Sequence, residues 1–141
     1  MRQILLFSLF AGLTALLLSG CGAARSKPEP AESTPGKAAY HRINAEEAYK
    51  MMTSRQVVVV DVRTRAEYDG GHIENALLVP NESIGNEMPE ALPDKGATLL
   101  IYCRSGRRSK EAAEKLLKQG YRNVYDFGGV IDWPYGLVRE D

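Results

Sequence analysis

The chain has 141 residues, 44% hydrophobic and 26% charged, which fits one ordinary globular domain and excludes collagen-like, wholly disordered and multidomain organisation. Eighteen Lys and Arg balance eighteen Asp and Glu, so there is no global basic field for nucleic acid, and any anion site must be local. Cys21 and Cys103 are too few for a disulfide framework, and neither stands at ligand spacing from His41 or His72, so no metal or cofactor is expected.

In chain order, a short positive start precedes a mostly apolar run over residues 4–18, followed by Leu18-Ser19-Gly20-Cys21. The run is short of the roughly 20 residues a membrane-spanning helix needs and reads as a secretory signal. The tetrad resembles a bacterial lipobox. That resemblance implies cleavage before Cys21, acylation of its thiol, and anchoring by two or three chains where one would not hold. Gly22 lacks the Asp of an inner-membrane retention signal. The implied location is the periplasmic face of an outer membrane in a Gram-negative source, and otherwise the outer face of the cytoplasmic membrane. Removing residues 1–20 takes away Arg2 alone among the charges. Residues 22–39 (GAARSKPEPAESTPGKAA) carry three prolines and no large apolar residue. They read as a tether of about 23 Å end to end, which leaves residues 40–141 as the domain.

Within the domain, Asn44-Ala45-Glu46-Glu47 has the form of a capped helix start, with Ala45, Ala48, Met51 and Met52 as its apolar stripe up to Thr53. Residues 57–60 are four valines, which suits a strand buried on both faces, with Asp61 at its C-terminal end. Thr64-Arg65-Ala66-Glu67 is a second capping signature, stopped by Gly70-Gly71. A strand over residues 76–79 closes at Pro80, a short helix is expected over residues 83–88, and residues 98–102 form a second buried strand. Residues 109–119 make the clearest helix, with Ala112, Ala113, Leu116 and Leu117 on its apolar face and Gly120 ending it. Residues 124–127 supply a last strand. The alternation predicts a three-layer α/β domain with a mainly parallel sheet flanked by helices.

Between the strand ending at Tyr102 and the last helix lies Cys103-Arg104-Ser105-Gly106-Arg107-Arg108. Open α/β sheets bind ligands outside the carboxyl ends of their strands, and here that place faces a helix N-terminus. Backbone N–H groups made approachable by Gly106, with three guanidiniums, favour an anion and the thiolate of Cys103. The competing reading is a small buried hydrophobe beside a solvated turn. An unpaired thiol in an exported chain argues against it.

These residues resemble the rhodanese-like (thiosulfate sulfurtransferase) family. The likeness is carried by Asp61-Val62-Arg63 with Glu67-Tyr68 and Gly71-His72-Ile73-Glu74-Asn75-Ala76, by the loop from Cys103 to Ser109, and by Gly128-Gly129 with Trp133 and Pro134. It implies a central five-stranded parallel sheet and a Cys103 that cycles through a persulfide, taking the sulfane sulfur of thiosulfate and passing it to cyanide or a thiol. Arg104, Ser105, Gly106, Arg107, Arg108 and Ser109 then hold the small anionic donor, and no cofactor is implied. A persulfide carrier that serves a protein partner is the alternative. Cys-based phosphatases and arsenate reductases use a C-x5-R frame, in which Ser109 stands here where the arginine is required; Arg108 comes one residue early and closes a tighter cradle. His72 reads as structural, and Glu67 as the partner of Thr64 in the capping box. Asp61 and Arg63 read as loop-orienting groups or a structural ion pair, and Trp133 as a core or pocket-wall residue.

Overall fold

The structure, a computed structural model, describes residues 38–139. The signal segment, Cys21 and tether residues 22–37 lie outside the described residues. Eight regular elements follow: β1 (Ala39–Arg42), α1 (Ala45–Ser54), β2 (Val58–Asp61), α2 (Arg65–Asp69), β3 (Leu77–Leu78), β4 (Thr98–Cys103), α3 (Arg107–Lys118) and β5 (Asn123–Gly129). The five strands form one sheet in the order β1-β5-β4-β2-β3, and every pairing is parallel.

Both capping boxes form. Asn44 accepts from the Glu47 N–H at 2.9 Å while the Glu47 carboxylate accepts from the Asn44 N–H at 3.0 Å, and Thr64 and Glu67 repeat the exchange at α2. The unbroken apolar run of β4 is explained by its two covered faces. Leu99, Ile101 and Cys103 pack with Ala112, Ala113 and Leu116 of α3, and Leu100 and Tyr102 pack with Ala48 and Met51 of α1 and Tyr68 of α2. Side chains two residues apart share a face, so Cys103 is directed to the α3 side of the sheet by the alternation of β4.

Four readings change. Ala39, assigned to the tether, begins β1, an edge strand that pairs with β5 from Ala39↔Asn123 to Arg42↔Asp126. Its sequence, Ala-Tyr-His-Arg, has no apolar run, and its residues are half-buried or exposed. The helix expected over residues 83–88 is a single 3-10 turn, Asn81–Ser83. Gly85 weakens a helix there and Pro89 has no N–H for the Gly85 carbonyl, and Gln119 Nε2 donates instead to the carbonyls of Gly85 and Glu87 at 2.6 and 3.0 Å, which ties the irregular segment to the end of α3. The strand after Asn75 shortens to Leu77–Leu78 on the sheet edge. Finally, α3 starts at Arg107 and not at Ser109, because Gly106 turns into the left-handed region (φ 101°) and admits the helix at once.

Candidate active site

Cys103 is the last residue of β4, 1% exposed, and its thiol is free. Three residues later the chain enters α3, and the Gly106 N–H donates to Cys103 Sγ at 3.0 Å. The sulfur therefore sits against the N-terminal end of a twelve-residue helix, where unpaired N–H groups and the helix dipole favour negative charge. The end of β5 closes the other side of the loop. A Cβ on Gly129 would collide with the Arg104 carbonyl oxygen and lie 2.8 Å from Ser105 Cα, so only glycine lets the two segments touch. The Ile131 N–H donates to the Arg104 carbonyl at 3.3 Å just beyond it.

The loop arginines do different things. Arg108 lies in a fork with Glu67, Nη1 to Oε2 at 2.8 Å and Nη2 to Oε1 at 2.7 Å, with 16% of the arginine and 28% of the glutamate side chain exposed. This pairing, with bonds from Thr64, holds the Glu67 carboxyl down at about 2 and raises Arg108 further above its already high value. Arg107 turns outward to Glu111 at 2.7 Å. Arg104 and Ser105 are exposed on the loop, and Gly106 is half-buried under it. Ser109 is fully buried; its Oγ is 3.7 Å from Cys103 Sγ and 2.7 Å from Asp126 Oδ1. The structure thus places Gly106 and Ser109 against Cys103 Sγ, leaves Arg104 and Ser105 exposed in the loop that follows it, and commits the Arg107 and Arg108 guanidiniums to carboxylates.

A family model described as Rhodanese-like domain matches residues 44–133. The chain belongs to the rhodanese-like domain family. A rhodanese with anions from E. coli is 32% identical, with a TM-score of 0.55, over 60% of this chain and all of that one. A rhodanese-like domain protein from Staphylococcus aureus is 33% identical, with a TM-score of 0.61, over 72% of this chain and 99% of that one. Among curated sequences, the tRNA uridine(34) hydroxylase of Yersinia pestis (strain Pestoides F) is 33% identical over 98 residues, which is 66% of this chain and 28% of that protein. This rhodanese-like chain spans under a third of the length of the curated relatives it matches.

The remaining residues singled out in the sequence support the rhodanese-like site from a distance. Asp61 and Arg63 form a buried ion pair, Nη2 to Oδ2 at 2.6 Å, and Arg63 also donates to the Gly71 carbonyl at 2.8 Å. This ties β2 to the turn before His72. His72 stacks on Tyr68 at 3.6 Å between ring centres, its Nδ1 lies 3.0 Å from the Tyr68 carbonyl, and its backbone bridges Val138. A carbonyl only accepts, so Nδ1 carries the proton and the ring is locked into the fold. Trp133 is half-buried against Phe127 and Tyr49. Sequence reasoning missed the Arg108–Glu67 fork and the group of Asp126, Tyr40 and Arg42 behind Ser109. The signal for the second was one carboxylate inside an otherwise apolar and aromatic strand, Val124 to Phe127.

Proposed function

We propose that this domain is a sulfurtransferase in which the Cys103 thiolate attacks the outer sulfur of thiosulfate. The S–S bond of the donor breaks, sulfite leaves with its electron pair, and Cys103 becomes a persulfide. Cyanide or a thiolate then attacks the outer persulfide sulfur and restores the Cys103 thiolate, so charge and electrons balance over both halves. The observation that carries this reading is the Gly106 N–H donating to Cys103 Sγ at 3.0 Å at the head of α3, in a loop that Gly129 holds closed. A fixed N–H at a helix N-terminus favours the anionic sulfur before and after transfer, and the exposed guanidinium of Arg104 adds charge for a doubly anionic donor.

Phosphate or arsenate chemistry fits these residues less well. The position that a C-x5-R frame gives to arginine holds Ser109, fully buried, with the Asp126 carboxylate directly behind it. Without a guanidinium there, the loop lacks the side chain that a C-x5-R frame clamps onto the oxyanion of a phosphate or arsenate. The hydroxylase activity named for the longer relatives is not carried over, because this chain covers 28% of their length.

The test is to incubate the purified full chain with thiosulfate, weigh the Cys103 peptide for one added sulfur, then add cyanide and follow thiocyanate. One added sulfur and steady thiocyanate release are expected, and Cys103→Ser abolishes both while keeping the fold. Loading without release would make the protein a sulfur carrier. Absent loading together with phosphatase or arsenate reductase turnover would refute the reading.

For its setting we propose export and acylation of Cys21, on the strength of the Leu18-Ser19-Gly20-Cys21 tetrad after a short apolar run. Labelled fatty acid should enter the wild-type chain in its host and not Cys21→Ser. Equal labelling of the two would end this proposal.

A further inference from the structure

Asp126 is fully buried, and sulfur transfer as described above gives it no part. Its two oxygens collect four donors: Tyr40 Oη, Arg42 Nη1 and the Gly128 N–H, each at 2.9 Å, and Ser109 Oγ at 2.7 Å. A serine hydroxyl has one proton to give. Three acceptors stand within reach of Ser109 Oγ, namely Asp126 Oδ1 at 2.7 Å, the Gly106 carbonyl at 3.0 Å and the Gly128 carbonyl at 3.4 Å. The nearest is also the only charged one, so the proton lies on that bond. The same oxygen is 3.7 Å from Cys103 Sγ, and with its proton committed it meets the sulfur only as an acceptor of the S–H.

We propose that Asp126 is a positioning residue that holds the single Ser109 proton, keeps Ser109 an acceptor toward the Cys103 thiol, and so sets the pH at which that sulfur becomes reactive. The inference rests on Cys103 being the reacting thiol of the proposed transfer. When the thiol loses its proton to solvent, the thiolate gains from every donor that can face it. Gly106 N–H already does so at 3.0 Å. Ser109 becomes the second donor only by turning its hydrogen away from Asp126, so the carboxylate opposes ionisation through that hydroxyl. Tyr40 and Arg42 occupy the other carboxylate oxygen and loosen its grip on Ser109. Among the other charges, Arg108 of α3 interacts with Cys103 and is paired with Glu67 of α2, Glu82 acts on the same guanidinium, and Arg104 is exposed in the loop; all are common to the variants below.

The experiment follows alkylation of Cys103 by iodoacetamide against pH in the purified full chain, reading the Cys103 peptide by mass spectrometry so that Cys21 does not contribute. Asp126→Asn keeps the shape and releases the Ser109 proton, and the alkylation midpoint should fall by about one pH unit, the size of one charge-assisted hydrogen bond. Tyr40→Phe removes one competing donor at a residue 38% exposed and should raise the midpoint by a few tenths of a unit. Both shifts should shrink by more than half when Ser109→Ala is added. Undiminished shifts without the hydroxyl would make Asp126 a plain neighbouring charge and overturn the proposal, as would the absence of any shift. Should Asp126→Asn fail to fold, the Tyr40→Phe pair with and without Ser109→Ala decides alone. Thiosulfate loading measured on the same samples separates the two readings: loading with unmoved midpoints strikes only this inference, and moved midpoints without loading strike only sulfur transfer.

Discussion

Replacing Glu67 with Gln tests the fork beneath the loop. Gln keeps the size of the side chain and can still accept from Thr64 in the capping box, so the change isolates the charge that faces Arg108. In the folded chain the Glu67 carboxyl sits at about 2 against an ordinary 4.5, with Arg108 as the leading cause. A displacement of that size corresponds to at most about 3 kcal/mol at ~1.4 kcal/mol per unit. Water reaches 28% of the Glu67 side chain, exposed pairs are worth up to about 1 kcal/mol, and the Thr64 bonds supply part of the displacement, so about 2 kcal/mol is the reasoned cost of the substitution at pH 7. The sign follows from linkage. A depressed carboxyl contributes fully above its unfolded value of 4.5, and the contribution is lost as pH falls toward about 2. Urea unfolding of the wild type and Glu67→Gln should therefore differ by about 2 kcal/mol at pH 7 and by less than about a quarter of that at pH 2.5. An equal difference at both pH values would show that the charge pair is not what holds Arg108 and Glu67 together.

Two further substitutions address the loop. Arg104→Ala should raise the Michaelis constant for thiosulfate about fivefold and flatten its rise with salt, because less attraction is left to screen, whereas Arg107→Ala, whose guanidinium faces Glu111, should change it less than about twofold; steady-state kinetics at two salt concentrations check this, and equal effects would show that both guanidiniums serve the donor alike. Gly129→Ala places a methyl against the Arg104 carbonyl and should cost about 1–3 kcal/mol in unfolding and abolish persulfide loading, while full loading in that variant would show that the loop can yield.

The two capping boxes, the four-valine strand and the amphipathic last helix were legible because each is a local pattern. Asn44/Glu47 and Thr64/Glu67 satisfy helix ends within four residues, and the apolar runs of β2 and β4 announce strands with two covered faces. Cys103 at a strand end before a Gly-containing turn is local as well, and so the position of the nucleophile could be read directly. β1 was not legible, since an exposed edge strand has no periodic apolar signature and is held by backbone pairing to β5, more than eighty residues away.

The sequence by itself therefore determined the main alternation of strands and helices after β1, the loop and the residue type at its centre. Only the tertiary structure decided which charges that loop keeps. Three arginines within five residues look equivalent in one dimension; Glu111, one turn along α3, takes Arg107 locally, but only the fold brings Glu67 of α2 to Arg108 and leaves Arg104 on the surface. Likewise Asp126 is an unremarked carboxylate in a strand until β1, β5 and α3 come together and place Tyr40, Arg42 and Ser109 around it. Backbone patterns depend on neighbours a few residues away, but a charge is defined by what surrounds it, and its surroundings are assembled by the fold.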